Sequence, residues 1–285
     1  MQRIHTLKEL RQIVSSARAE GSKIGLVPTM GNLHEGHLNL VDKARETNDF
    51  VVATIFVNPL QFGENEDFGA YPRTLEDDSA KLASRHCDLL FSPSVDEVYP
   101  DGLRGESNVH VPDLTKHHCG ASRERHFDGV ATIVTKLFNM VQPDQAIFGE
   151  KDFQQLMVIR KLVKDLCFPI DIKSVATSRE DDGLARSSRN NYLSTEEREK
   201  AKYLFATLQD TKKAIETGGN DFALIRREAM KNLINKGFKL DYFNIASVDT
   251  LLPAKDDEVD IVILAAAYMG STRLIDNIRV SVRPN

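Results

Sequence analysis

The chain has 285 residues, 41% of them hydrophobic, and a formal net charge of −5 at neutral pH. Its length is enough for a sizeable core and two domains. The modestly acidic balance argues against a broad basic surface for nucleic acid, and the sequence holds no apolar run long enough to span a membrane. The N-terminal MQRIHTL lacks an apolar signal region, and Cys87, Cys119 and Cys167 are widely spaced. We therefore expect a cytoplasmic protein with free thiols.

The stretch from Ile24 to Leu40 organises the first half of the chain. A capping-box pattern at Thr6 and Glu9 predicts a first helix that ends at Gly21. The apolar run 24–27 then predicts a buried strand, which is followed by a Pro-Thr-Met-Gly loop and the start of a second helix.

Strands and helices alternate from there to residue 175. Apolar runs predict strands over 50–57, 88–92, 145–148 and 170–175, with 106–111 as a further candidate, and helical spacing predicts helices over 74–86, 129–141 and 153–166. This alternation is typical of parallel strands joined by right-handed crossovers. It predicts a doubly wound α/β sheet.

The pattern changes after Ser178. Residues 179–191 are polar, a second capping box at Ser194 and Glu197 opens a helix to about 217, and another helix covers 222–236. Three β-rich segments follow over 240–248, 259–266 and 274–282. We predict a first domain over 1–178 and a smaller α+β domain over 179–285.

Three polar clusters follow predicted strands of the first half, at 28–37, 58–61 and 149–155. Ligands of doubly wound sheets bind at the carboxyl ends of the strands. In the first cluster His34 and His37 lie one helical turn apart, beside Gly31 and Gly36, at a helix N-terminus. Orphan N–H groups and the helix dipole make such a terminus an anion site, so the cluster predicts a phosphate-binding turn.

Each cluster also has an interpretation in which its residues bind no ligand. A single loop histidine usually has no ligand, but two on one turn favour a site. A metal site is disfavoured because no third ligand stands at a recognised spacing. Lys151 and Asp152 are either a solvated helix start or, through the lysine, a phosphate contact. Residues 186–189 are either a surface loop or a mobile phosphate clamp.

The remaining polar residues give a similar choice. Asn58 and Gln61 flank Pro59, and they either form a simple turn or recognise a small polar substrate through their amides. The run His117-His118-Cys119, with His126, resembles a metal site only weakly. The sequence contains neither a Walker A run nor a G-x-G-x-x-G fingerprint, so a nucleotide would be held in another way.

Six motifs identify the chain by resemblance. P-T-M-G-N-L-H-E-G-H (28–37) resembles the HxGH signature of HIGH-type nucleotidyltransferases, and A-R-S-S-R-N (185–190) their KMSKS-like signature. With I-F-V-N-P-L-Q-F (55–62), Y-P-R-T-L (71–75), R-H-F-D-G-V (125–130) and F-G-E-K-D-F-Q-Q-L (148–156), the sequence resembles the pantothenate synthetase (pantoate–β-alanine ligase) family. The resemblance implies a Rossmann-like nucleotide-binding sheet and a C-terminal lid domain, usually in a homodimer.

The resemblance also implies the reaction. ATP and (R)-pantoate would give pantoyl adenylate and pyrophosphate, after which β-alanine would expel AMP to form pantothenate. ATP is a substrate that brings Mg²⁺. The protein ligands of the metal stay unknown, with Asp77 and Asp78 as candidates. No nucleic-acid or membrane partner is implied.

The resemblance assigns roles to matching positions. His37 is the proton donor, assisted by His34, and Lys151 contacts the phosphates. ATP-binding residues are Met30, Gly31, Asn32, Leu33, His34, Glu35, Gly36, His37, Gly149, Glu150, Lys151, Asp152, Ser178, Arg186, Ser187, Ser188 and Arg189. Pantoate would contact Gln61, Gln155, Val130, Ile133 and Val134, and β-alanine would contact Gln61 and Asn58.

Two positions depart from the family pattern. Ser178 replaces an apolar residue whose backbone meets adenine, and Arg186 stands where other members have Lys, Met or Leu. The alternative function is another HIGH-type adenylyltransferase that acts on a small phosphorylated acceptor. The amides of Asn58, Gln61 and Gln155 suit a singly charged acceptor better than a second phosphate.

Overall fold

A computed structural model describes residues 1–63, 66–255 and 258–282. They form two compact units. The first comprises residues 1–112, 123–150 and 155–176, and the second comprises 113–122, 151–154 and the residues from 177 onward. The domain bounds predicted at 178 and 179 stay a prediction.

The first unit contains a six-stranded sheet in which every pairing is parallel. Its strands are β1 (Gln2–Ile4), β2 (Ile24–Thr29), β3 (Phe50–Ile55), β4 (Leu89–Phe91), β5 (Gln145–Gly149) and β6 (Asp171–Val175). The spatial order is β1-β4-β3-β2-β5-β6. The chain therefore moves outward from β2 through β3 to β4 and then continues on the other side of β2 through β5 to β6. The direction reverses beside β2 and β5, and the predicted doubly wound sheet is confirmed.

Helices connect and flank the strands. They are α1 (Leu7–Ala19), α2 (Glu35–Arg45), α3 (Leu75–Ser84), α4 (Val95–Val98), α5 (Cys119–Ser122), α6 (His126–Val141), α7 (Phe153–Asp165), α8 (Thr195–Ala201), α9 (Tyr203–Glu216) and α10 (Phe222–Asn235). Both predicted capping boxes form, because Thr6 with Glu9 and Ser194 with Glu197 exchange side-chain and backbone hydrogen bonds. None of these helices is both long and apolar enough to cross a membrane, in the part of the chain that the structure describes.

The second unit contains a three-stranded antiparallel sheet of β7 (Lys239–Ser247), β8 (Asp260–Met269) and β9 (Thr272–Ser281). Helix α9 packs on β9, and α10 packs on β7. Buried apolar side chains from these helices and strands, such as Leu208, Leu233 and Phe243, form its core. This arrangement confirms the predicted smaller α+β fold.

Two element predictions are wrong. Residues 106–111 form no strand. The segment lies along α6, where the backbone N–H of Val109 donates to Thr132 Oγ1 at 2.9 Å and Lys136 pairs with Glu106 at 2.5 Å. Its polar groups therefore bond to helix side chains rather than to a neighbouring strand. The predicted helix from Ser194 to about 217 is instead two helices, α8 and α9, which meet at Lys202.

Candidate active site

The turn between β2 and α2 lies at the reversal point of the sheet, where doubly wound folds bind ligands. Its backbone is unusual, because Gly31 (φ 83°) and Asn32 (φ 50°) both adopt left-handed conformations. The Gly31 N–H donates to Thr29 Oγ1 at 3.2 Å. Glycine adopts a left-handed conformation without cost, whereas for Asn32 it costs some free energy that surrounding contacts must offset.

Asp78 and Lys81 of α3 supply those contacts. The fully buried Asp78 carboxylate accepts the backbone N–H of Asn32 at 2.8 Å and that of Leu33 at 2.7 Å. It also accepts the hydroxyl of Thr74 at 3.1 Å, and the Lys81 ammonium donates to Leu33 O at 2.8 Å. Helix α3 therefore holds the turn at Asn32 and at both backbone groups of Leu33. This local role contrasts with the sequence-based suggestion that Asp78 assists Mg²⁺.

The two histidines of the turn cap α2 reciprocally. The Gly36 N–H donates to His34 Nδ1 at 3.1 Å, and the His34 N–H donates to His37 Nδ1 at 3.3 Å. Since each Nδ1 accepts a hydrogen bond, the proton of each neutral ring lies on Nε2. The ring centroids are 4.1 Å apart. The cap thus fixes two imidazoles side by side at a helix N-terminus with one tautomer, the form in which Nε2 is a donor.

The turn after β3 contacts this region. Asn58 has 1% of its surface exposed, and its amide donates to Gly129 O at 3.1 Å and Gln61 Oε1 at 3.2 Å. Its Oδ1 accepts from Tyr99 Oη at 2.7 Å. Gln61 Nε2 in turn reaches Met30 Sδ at 3.1 Å. The residues predicted for ATP and for the small substrates are therefore neighbours at Met30 and Gln61, whereas the Asn58 side chain is engaged inside the protein.

Helix α6 packs against the turn that carries Gln61. A Cβ at Gly129 would lie 2.3 Å from Leu60 O, so the helix and the turn touch backbone to backbone. The three residues of α6 predicted to contact pantoate, Val130, Ile133 and Val134, are all buried. Burial raises the pKa of the Tyr99 phenol well above its usual value, with the charge of Glu106 adding to it, so the phenol stays a donor to Asn58.

A network that the sequence pattern does not reveal ends on the turn that carries Gln61. Arg123 donates to His126 Nε2 at 2.8 Å, which leaves the proton on Nδ1, and Nδ1 donates to Gln61 O at 2.8 Å. Arg123 also pairs with both oxygens of Glu66, at 2.7 and 2.5 Å. Burial acts to raise the pKa of Glu66, but the hydrogen bonds and charge of Arg123 outweigh it and lower that pKa. The motif R-H-F-D-G-V was the signal available for His126, although the sequence does not show its partner.

The third predicted cluster follows β5, which neighbours β2 in the sheet. Gly149 ends β5, and a Cβ there would meet nothing within 4 Å. The Glu150 carboxylate accepts from Ser174 Oγ at 2.8 Å, and Gln155 is half-buried near the start of α7. The open space beside Gly149 fits close approach of a ligand to the backbone.

Other predicted residues belong to the second unit. Lys151 and Asp152 end a 3₁₀ turn over Glu150–Asp152, and their side chains are 3.9 Å apart. The Arg186 N–H donates to Ser178 O at 2.9 Å, and its guanidinium pairs with Glu180 at 2.9 Å. Ser187 caps the 3₁₀ turn Ser188–Tyr192 by accepting the Arg189 N–H.

His117, His118 and Cys119 lie in the second unit, where His118 has internal hydrogen-bond partners. His118 is buried, and its ring bonds to Leu251 O at 2.8 Å and to Asn244 Nδ2 at 2.9 Å. Among the described residues, no group of three His, Cys, Asp or Glu side chains could hold a metal ion.

Comparison with known proteins gives a consistent result. A family model described as pantoate-beta-alanine ligase matches residues 2–279. A pantothenate synthetase from Hahella chejuensis is 57% identical over 97% of this chain and 98% of its own. The crystal structure of pantothenate synthetase from Thermus thermophilus has a TM-score of 0.92 at 46% identity, with full coverage of both chains. A pantoate-beta-alanine ligase from Francisella tularensis, complexed with beta-gamma ATP and beta-alanine, has a TM-score of 0.82 at 35% identity over 98% of this chain and 97% of its own.

Proposed function

Because this chain belongs to the pantoate-beta-alanine ligase family, we propose that the turn between β2 and α2 activates pantoate for its condensation with β-alanine. The enzyme is an AMP-forming ligase that uses ATP and yields pantothenate, AMP and pyrophosphate. The observation that carries the role of the turn is the reciprocal cap, which fixes His34 and His37 with Nε2 as the donor atom.

The reaction proceeds in two steps. The pantoate carboxylate attacks the α-phosphorus of ATP, the bond to the β-phosphate oxygen breaks, and pyrophosphate leaves. The amine of β-alanine then attacks the acyl carbon of pantoyl adenylate, loses a proton and expels AMP. Adenylation is needed because a free carboxylate is a poor acylating agent.

The histidine pair acts on the first step. Charge accumulates on the phosphoryl oxygens in the transition state, so fixed donors there lower the barrier more than donors that must reorient. His37 donates to the α-phosphate and His34 assists at the neighbouring phosphates. The backbone of residues 30–36 lines the same nucleotide, and the N-terminus of α2 adds a favourable dipole.

The Gln61 turn places the small substrates. Its contact with Met30 brings an amide next to the nucleotide turn, and the His126 bond to Gln61 O holds the backbone there. Gln61 binds pantoate and β-alanine, and Gln155 binds pantoate. Val130, Ile133 and Val134 form the apolar wall for the pantoate methyl groups. Asn58 acts on β-alanine through the turn that it braces.

Residues of the second unit complete the assignment. Lys151 and the segment 186–189 bind phosphate oxygens, and the Ser178 backbone meets adenine. ATP enters as its Mg²⁺ complex, since Mg²⁺ is commonly held by substrate phosphates with few protein ligands. The three cysteines are unpaired, which supports a reducing cytoplasm, and we assign a homodimer by likeness to the family.

An assay of AMP release with each substrate omitted in turn tests the function. The full mixture should form AMP continuously, and omission of pantoate should abolish AMP formation. Omission of β-alanine should allow pyrophosphate release only up to the enzyme concentration. AMP formed steadily without pantoate would contradict the proposal.

The role of Gln61 is tested separately. Gln61→Ala should raise the apparent KM for pantoate and β-alanine more than that for ATP. The matched control is Gln12→Ala, an exposed glutamine of α1. Equal KM values for Gln61→Ala and the control would remove Gln61 from the substrate site.

A further inference from the structure

Two polar residues are buried in the middle of β9. Asp276 and Asn277 are 3% and 6% exposed, and β9 pairs with β8, whose residues are mostly apolar. Successive strand residues face opposite sides of a sheet, so this pair presents polar groups to both faces of β9. Buried polar groups need partners, and here the partners lie beside residues already assigned to ATP.

Asp276 holds the start of the segment that leads to Arg186. Its carboxylate accepts from Arg179 at 2.6 and 3.0 Å, and the Arg179 guanidinium stacks 3.6 Å from the centre of the Phe205 ring. Burial raises the pKa of Asp276, while Arg179 opposes that rise. The two bonds to Asp276 and the stacking on Phe205 together hold the Arg179 guanidinium in one position.

Arg179 in turn fixes the backbone that precedes residues 187–189. It bridges to Ala185 as a short antiparallel pair and donates to Gly183 O at 3.1 Å. Arg186 Nε donates to Arg179 O at 3.2 Å. The contacts thus run from β9 through Arg179 to Arg186.

Asn277 holds the other predicted phosphate contact. Its Nδ2 donates to the backbone oxygen of Lys151 at 2.8 Å. The 3₁₀ turn that carries Lys151 follows β5 directly and leads directly into α7. The Asn277 bond fixes the carbonyl of Lys151 itself, from which the side chain with its ammonium extends.

We propose that Asp276 and Asn277 are positioning residues for ATP, with Asn277 acting through Lys151 and Asp276 acting through Arg179 on the segment 186–189. The inference rests on the proposed function, in which Lys151 and that segment bind phosphate. A small displacement of a group that contacts the reacting phosphates is costly, and an ångström can lower the rate by about 100-fold.

Asn277→Ala is the central test. It should lower kcat/KM for ATP by about 10- to 100-fold and leave the KM values for pantoate and β-alanine within about twofold. The control is Asn232→Ala, which removes a half-buried amide bonded to Thr207 in the same unit, away from every assigned residue. The control should share the loss of thermal stability but keep the activity of the unaltered protein.

A double variant separates positioning from general damage. If Asn277 acts through Lys151, then Lys151→Ala with Asn277→Ala should be no slower than Lys151→Ala alone, because coupled residues are not additive. Multiplied losses would overturn the inference. A second outcome would also overturn the inference: Lys151→Ala slows the enzyme, but Asn277→Ala has the same kinetics as the control Asn232→Ala. That outcome would leave the proposed function intact. Absence of pantoate-dependent AMP formation in the unaltered protein would instead refute the proposed function.

The role of Asp276 is tested through a conservative variant of its partner Arg179, because loss of the buried Asp276 carboxylate can unfold the unit. Arg179→Lys keeps the charge but loses the two-pronged bond and the stacking geometry. It should raise the KM for ATP about 10-fold while the protein stays folded by circular dichroism. An unchanged KM for ATP would overturn the role assigned to Asp276.

Discussion

Asp78→Asn tests whether α3 shapes the nucleotide turn. Both Asp78 oxygens accept backbone N–H groups, from Asn32 and from Leu33, and the carboxylate is fully buried. An asparagine has the same shape but only one oxygen. Its NH₂ group must therefore face an N–H donor of the turn, so that one bond is lost and one donor is left buried without an acceptor.

The size of the effect follows from these bonds. A hydrogen bond to a charged group contributes about 1.5–3 kcal/mol, and a stranded buried donor costs about 1–3 kcal/mol. If the conformation of the turn that binds ATP is destabilised by only about 2 kcal/mol, ATP binding or the reaction rate changes by about 30-fold. We expect a drop of at least that factor in kcat/KM for ATP, because Gly31 and Asn32 would relax from their left-handed conformations.

The assay is initial-rate AMP release over an ATP series, with thermal unfolding measured in parallel. Asp96→Asn is the matched control, since it makes the same charge change at an exposed site in the same unit. The control should differ little from the unaltered protein. A value of kcat/KM for ATP within twofold of the unaltered protein, together with an unchanged unfolding midpoint, would show that Asp78 does not hold the turn.

Three further predictions follow from other contacts. Gly129→Ala puts a Cβ 2.3 Å from Leu60 O, so the free energy of unfolding, measured with denaturant, should fall by about 1–3 kcal/mol despite the better helix propensity of alanine. The control is Gly69→Ala, whose Cβ would meet nothing within 4 Å. Equal losses of stability in the two variants would contradict the contact. Burial lowers the pKa of His118, so its contribution to stability is complete above the usual histidine pKa of about 6.5 and declines as the pH falls below it. The melting temperature should therefore fall more steeply from pH 7 to pH 5 in the unaltered protein than in His118→Gln, and parallel curves would refute this. Tyr99→Phe removes a buried donor to Asn58 and should cost about 1–2 kcal/mol and raise the KM for pantoate, measured by unfolding and initial rates; no change in either would count against it.

Local patterns predicted much of the fold. The capping boxes at Thr6 and Ser194 depend on residues three apart, and both form. The apolar runs that became β2, β3 and β5 are covered on both faces, which is why they read as continuous rather than alternating. The candidate strand at 106–111 failed because its partners are side chains of α6, which the sequence pattern does not display.

The site was predictable where its chemistry is local. His34 and His37 could be placed on one turn from their spacing, and the structure adds the bond pattern that fixes their tautomers. Partners distant in sequence could not be found in this way. Asp78 lies 46 residues beyond Asn32, and Asn277 lies 126 residues beyond Lys151. Hydrogen bonds over such separations depend on the fold as a whole.

Isotope exchange of labelled pyrophosphate into ATP measures the first step of the proposed reaction directly. The unaltered protein should catalyse exchange that requires pantoate and does not require β-alanine. His37→Ala should stay folded, with at most the small loss of stability that follows from removing one bond of the α2 cap. It should lose about 100-fold or more of the exchange rate, as expected when a fixed donor to the developing charge is removed. Exchange by His37→Ala at the rate of the unaltered protein would contradict the assignment of pantoate activation to the paired-histidine turn.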